Sequence, residues 1–122
     1  MFKKTLLGVT VAALAVIAWN QSQAAADGKA LYESKCKTCH AVDGSGQKDG
    51  KWLSIAKTMK LDEKQTAKLS VVSPEAKAMT DADFEKKILD GSGKMKPMKD
   101  KVTADEAKAI TAYARDLQKQ AK

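Results

Sequence analysis

The sequence predicts an all-α fold, a single small domain of short helices. Three observations predict it. Capping residues precede segment after segment in which apolar residues recur at helical spacing. No stretch alternates apolar and polar residues as a half-buried strand does. Glycine- and proline-marked breaks keep each helical segment short. The 122 residues suffice for one domain. Lys and Arg total 22 against 15 Asp and Glu, a formal net charge of +7 in which Arg115 is the only arginine. With 2 Cys and 1 His, a disulfide scaffold and a His-rich metal site are excluded. Aromatics are scarce, and a chain this small leans on a staple or a cofactor.

The first residues stand apart from the domain. Met1–Lys4 is basic, Thr5–Trp19 is an uncharged run of about 15 residues, and Asn20–Ala26 turns polar and then alanine-rich. That is the order of a secretory signal peptide. The run falls short of the roughly 20 residues that span a bilayer as a helix. Cleavage is expected after Ala24 or Ala26, leaving one domain over 25–122; an uncleaved anchor is the alternative. Removal takes Phe2 and Trp19 with it, so Tyr32, Trp52, Phe84 and Tyr113 remain the only aromatics. The protein is expected to be periplasmic or otherwise exported, with no stable membrane anchor.

Export sharpens the reading of Cys36-Lys37-Thr38-Cys39-His40. In an oxidising compartment two thiols should be paired, bound or catalytic. A thioredoxin-like motif opens a helix after a buried strand, and no strand pattern precedes Cys36. Zinc wants four ligands where this stretch offers three, and iron–sulfur clusters want four thiolates. Covalent attachment of haem c remains. Cysteines three apart on one helical turn point the same way, so both thiols can add to the vinyl groups along one haem edge. His40 then falls under the iron as an axial ligand.

The other elements follow in order. Asp27 is placed to cap a helix running through Gly28 and Tyr32 to the cysteines. Asp43–Gly46 and Lys48–Gly50 mark a long loop. Trp52, Ile55 or Ala56, and Met59 fit one helical face, while Leu61–Val72 has no clear pattern. Ser73-Pro74-Glu75 reads as an N-cap with proline at the first helical position. Thr80 caps the next helix with Asp83 three residues on; Met79 and Phe84 form its staple, Phe84 and Ile88 face inward, and Gly91 ends it. Gly91–Met98 is a loop. Thr103-Ala104-Asp105-Glu106 is a capping box with Val102 and Ala107 as staple. Ala107, Ile110, Tyr113 or Ala114, and Leu117 make the inner stripe of the last helix. The expected architecture is a compact bundle of short helices wrapped around one covalently attached haem, whose apolar mass completes the core.

With a single histidine, the second axial ligand is a methionine, a lysine or an open position. Met1 leaves with the signal, and Met59 and Met79 have packing roles. Met95 and Met98 lie in the loop between two helices, and Pro97 favours an extended segment there. Spacing alone does not choose between them.

These features resemble the small single-haem class I c-type cytochromes: Gly28 and Tyr32 before Cys36-Lys37-Thr38-Cys39-His40, Asp43-Gly44 after it, then Asp83–Leu89, Gly91-Ser92-Gly93-Lys94-Met95 and a last helix with Tyr113. The resemblance spans most of the mature chain. It implies that the first and last helices cross, with Gly28 against Tyr113, and that Met95 ligates iron opposite His40, Met98 being the second choice. Lys96 separates Met95 from Pro97, where the family has proline directly after the ligand. No proline corresponds to those that support the histidine in relatives, so the sequence does not name the group that orients His40.

A His/Met haem has no free site for substrate, so the expectation is an electron-transfer protein and not an enzyme: a soluble, monomeric one-electron carrier. Two alternatives are a haem sensor with an open distal site and a haem subunit of an exported oxidoreductase. Lys35, Lys37, Lys94, Lys96, Lys99 and Lys101 flank the two ligand segments and would steer acidic redox partner proteins. One arginine without interleaved aromatics gives no footprint for nucleic acid.

Overall fold

In the computed structural model, which describes residues 27–121, helices dominate. Their order is α1 (27–35), α2 (Lys37–His40), the strands β1 (Gln47–Lys48) and β2 (Lys51–Trp52), α3 (Ile55–Thr58), α4 (Glu63–Ala67), α5 (Pro74–Ala78), α6 (Asp81–Asp90) and α7 (Ala104–Gln120). The expected signal segment lies outside the described residues.

The cap expectations hold from α5 onward. Ser73 Oγ accepts from Ala76 N at 3.2 Å, and Thr80 Oγ1 accepts from Asp83 N at 3.1 Å. Thr103 and Glu106 exchange side-chain and backbone bonds as a full capping box. Gly91 closes α6 at φ +76°.

Two local readings need correction, and the stretch without a clear pattern acquires an element. Asp27 is itself helical rather than a cap; an acidic side chain is favourable throughout a first turn, so its presence does not locate the boundary. Trp52 does not share a helical face with Ile55 and Met59. Asp49 and Gly50 both adopt positive φ, 53° and 74°, as a tight hairpin turn requires. Trp52 therefore pairs across the hairpin with Gln47, 41% exposed. The unassigned stretch contains α4, opened by a capping box in which Asp62 accepts from Gln65 N and Gln65 Oε1 accepts from Asp62 N.

The core is built from the termini inward. α6 and α7 pack along each other, burying Phe84 and Ile88 against Ala107, Ile110, Ala114 and Leu117, with Tyr32 and Val102 in the same cluster. α1 crosses α7 at Gly28, where a Cβ would run into the carbonyl of Ala109 and press on Tyr113 Cβ. The rings of Tyr32 and Tyr113 meet beside this crossing, centroids 5.4 Å apart and tilted by 59°, a favourable aromatic geometry. Arg115 fastens the corner between α5 and α6. Its Nε donates to Asp81 Oδ1 at 2.9 Å, its Nη atoms donate to the carbonyls of Ala76 and Met79, and the guanidinium lies over Phe84.

Candidate haem site

The cysteine turn continues α1 almost without a break. Cys36 N donates to Tyr32 O at 2.8 Å, and Cys36 O then accepts from Cys39 N and His40 N at 3.2 and 3.0 Å. One helical turn thus carries both thiols and the imidazole, and positions three apart share a face. Both cysteines are free and half-buried. Burial pushes the Cys36 thiol up to about 11, the neighbouring Cys39 adds to this, and Lys35 opposes it. Burial raises Cys39 as well. Redox-exchange motifs lower the pKa of a cysteine to expose a thiolate. Both thiols here are shifted the other way, which does not favour disulfide exchange.

His40 has one ring nitrogen committed. Nδ1 lies 2.7 Å from the carbonyl oxygen of Leu69. A carbonyl can only accept, so Nδ1 holds the proton and the lone pair sits on Nε2. Burial lowers the imidazole pKa, the Leu69 contact pulling the other way, so the ring is a neutral ligand.

Glycines bring Leu69 this close. Gly46 sits at φ +72°, and a Cβ there would lie 2.9 Å from Leu69 Cβ and 3.2 Å from Leu69 O. Gly44 O accepts from Val71 N at 2.8 Å. From the other side, buried Gln118 of α7 donates from Nε2 to Val71 O at 2.9 Å and accepts from Arg115 Nη1 at 3.0 Å. The segment supporting His40 is therefore tied to the last helix. Sequence reasoning missed Leu69 and Gln118. Only the two glycines after His40 hinted at a close backbone approach.

Ala41, next to His40, adopts φ +65° and ψ 162°, a conformation essentially reserved for glycine. Tyr32 holds it there: its hydroxyl donates to Ala41 O at 2.7 Å.

The loop after α6 separates its two methionines. Ser92 and Met95 exchange backbone bonds of 3.1 and 3.0 Å, forming a tight turn over Gly93 and Lys94. The turn folds back on Gly91, where a Cβ would lie 2.5 Å from Met95 O. Met98 N donates to the Ile88 and Leu89 carbonyls, and its side chain packs on the core. Met79 also packs on that core, whereas Met95 is not among the side chains doing so. Lys94 reaches from the turn to the end of α3, its Nζ donating to Met59 O at 2.9 Å and Lys60 O at 3.2 Å. α3 in turn packs against α2.

This donor set, two neutral thiols and a pre-oriented Nε2 on one turn, fits a covalently held haem. A family model described as Cytochrome C oxidase, cbb3-type, subunit III matches residues 23–113. The chain belongs to this family. It is a c-type cytochrome, a class that holds haem c covalently and transfers electrons. No curated protein and no solved structure matches the chain. The mostly helical fold of this cytochrome agrees with that membership. Among its described residues, no helix is long and apolar enough to cross a membrane, and no three His, Cys, Asp or Glu side chains converge to hold a metal ion. The lysines expected to rim the site, Lys35, Lys37, Lys94, Lys96, Lys99 and Lys101, are all exposed, and Lys94 is in addition engaged by backbone carbonyls.

Proposed function

We propose that this cytochrome is an exported one-electron carrier that holds a single haem through Cys36 and Cys39, with His40 and Met95 as axial ligands. The observation that carries this reading is the His40–Leu69 contact, which fixes the tautomer and aims Nε2 before any metal arrives. Bound haem supplies one-electron ferric–ferrous chemistry. Cys36 and Cys39 hold it by two thioethers, His40 donates nitrogen, and Met95 offers a soft thioether that favours the ferrous form. Met95 is favoured over Met98 because the Met98 side chain is already packed on the core. The exposed lysines give the ligand segments a positive rim suited to acidic redox partners.

The test is the ferric absorption spectrum of the purified mature protein beside its intact mass. A mass increased by one haem and a near-infrared methionine-to-iron band support the carrier. A high-spin spectrum that shifts with azide overturns Met95 ligation and points to an open-site sensor.

A second reading, a haem-bearing subunit of an exported oxidoreductase, is favoured by the family's own description. Size-exclusion of native extract separates the two. A haem signal at the monomer volume supports the free carrier, and one confined to a large complex supports the subunit.

A further inference from the structure

Lys94 immediately precedes Met95, and its exposed ammonium reaches onto another part of the chain. Its Nζ bridges two consecutive carbonyls, Met59 O at 2.9 Å and Lys60 O at 3.2 Å, 35 and 34 residues earlier. Those carbonyls are available because of how α3 ends. Lys60 takes a left-handed conformation at φ +51°, Lys60 N donates to Lys57 O, and Leu61 N donates to Ala56 O. This is a Schellman closure, which satisfies the earlier carbonyls and leaves the last ones facing outward. A cation is the natural partner for them.

The position of this contact matters more than its strength. The methionine turn is fastened at its base by Met98 N and Lys99 N to the carbonyl end of α6, and it is pinched by the Ser92–Met95 pair. Its tip, Gly93–Lys94, has φ +59° at Gly93 and open space around it. Lys94 Nζ is the bond that ties this tip to α3, the helix packed against the His40 turn.

We infer that Lys94 is a positioning residue for the axial methionine: its ammonium clamps the Met95 turn onto the carbonyl end of α3 and so holds Met95 on the metal. The inference rests on the reading of Met95 as ligand. An added ligand binds ferric haem only from the state in which methionine has let go, so its apparent affinity reports the fraction of loops that are open. Breaking the clamp raises that fraction.

The experiment titrates the ferric holoproteins with imidazole, following loss of the near-infrared band, and measures urea unfolding in parallel. Lys94→Met is expected to bind imidazole about three- to ten-fold more tightly than the parent, the range set by losing an exposed charge-assisted hydrogen bond. Lys94→Arg, which keeps a cationic donor, is expected to return affinity to within about two-fold of the parent. Urea midpoints should stay together; Lys94→Gln substitutes if Lys94→Met folds poorly. Parental imidazole affinity in Lys94→Met overturns the inference, as does a gain in affinity that merely tracks a loss of global stability. Met95→Ala distinguishes the deeper failure. If that variant keeps the band, Met95 is not the ligand and both readings fall; if the band is lost while Lys94→Met behaves as parent, only the clamp falls.

Discussion

His40 Nδ1 and the Leu69 carbonyl lie 2.7 Å apart across 29 residues of sequence. The contact exists because Gly46 lets the Leu69 backbone come close. Gly46→Ala adds a Cβ at 2.9 Å from Leu69 Cβ, in a backbone region that favours glycine. It should cost about 1–3 kcal/mol in urea unfolding. Weakening the bond also makes the imidazole a poorer donor, so the haem potential should rise. Potentiometry on the holoprotein checks the second effect, which a purely structural fault would not produce with that sign.

Ala41→Gly should stabilise the protein. Ala41 sits at φ +65° and ψ 162°, a strain of about 1–3 kcal/mol that glycine escapes. The added chain entropy of glycine offsets part of it, leaving a net gain of about 1 kcal/mol. A lower urea midpoint in the variant would contradict this account.

Met95 and Met98 should separate cleanly. Met95→Ala is expected to abolish the near-infrared methionine band with little change in stability. Met98→Ala should keep the band and lose about 1–3 kcal/mol, since Met98 packs on the core. The reverse pattern would show that the axial ligand is three residues further along.

Arg115→Met removes the partners of Asp81, Gln118 and the Ala76 and Met79 carbonyls at once. A loss of about 2–4 kcal/mol in denaturant unfolding is expected. Lysine should not restore it, because one ammonium cannot reach four acceptors in that fork. Asp81 is exposed, so Asp81→Asn should cost less than about 1 kcal/mol.

Tyr32 gives the fold an alkaline limit. Burial raises its pKa well above the ordinary range, and the Cys36, Asp43 and Tyr113 groups add to the effect. A folded pKa raised above the unfolded value means that the native state holds its proton longer. The associated stability is present below about pH 10 and is lost as pH climbs beyond it. Tyr32→Phe should flatten that decline while lowering stability at neutral pH through the lost bond to Ala41 O.

Elements that announce themselves locally were legible in the sequence. Ser73-Pro74, the Thr80 and Thr103 caps and the Gly91 stop depend on residues a few positions apart, and each appears where its chemistry places it. Asp49-Gly50 and the Asp62–Gln65 box are equally local, but the first is followed by apolar residues at helical spacing that mask the hairpin, and the second lies in a segment without apolar periodicity. The cysteine turn was legible for the same reason of short range. The partner of His40 was not. A backbone carbonyl carries no sequence signature, and the approach of Leu69 depends on Gly46 and on Gln118 of the last helix. Lys94 likewise looked like one more surface charge, since its acceptors are backbone atoms of a helix end far away in sequence.

The crossing of α1 over α7 at Gly28 has a consequence for synthesis. The chain emerges with Cys36 and Cys39 long before Ala109 and Tyr113 exist to close over α1. Such a distant pairing is slow to form, because a long loop must be closed first. Throughout that interval the two sulfurs stay open to whatever machinery performs the attachment.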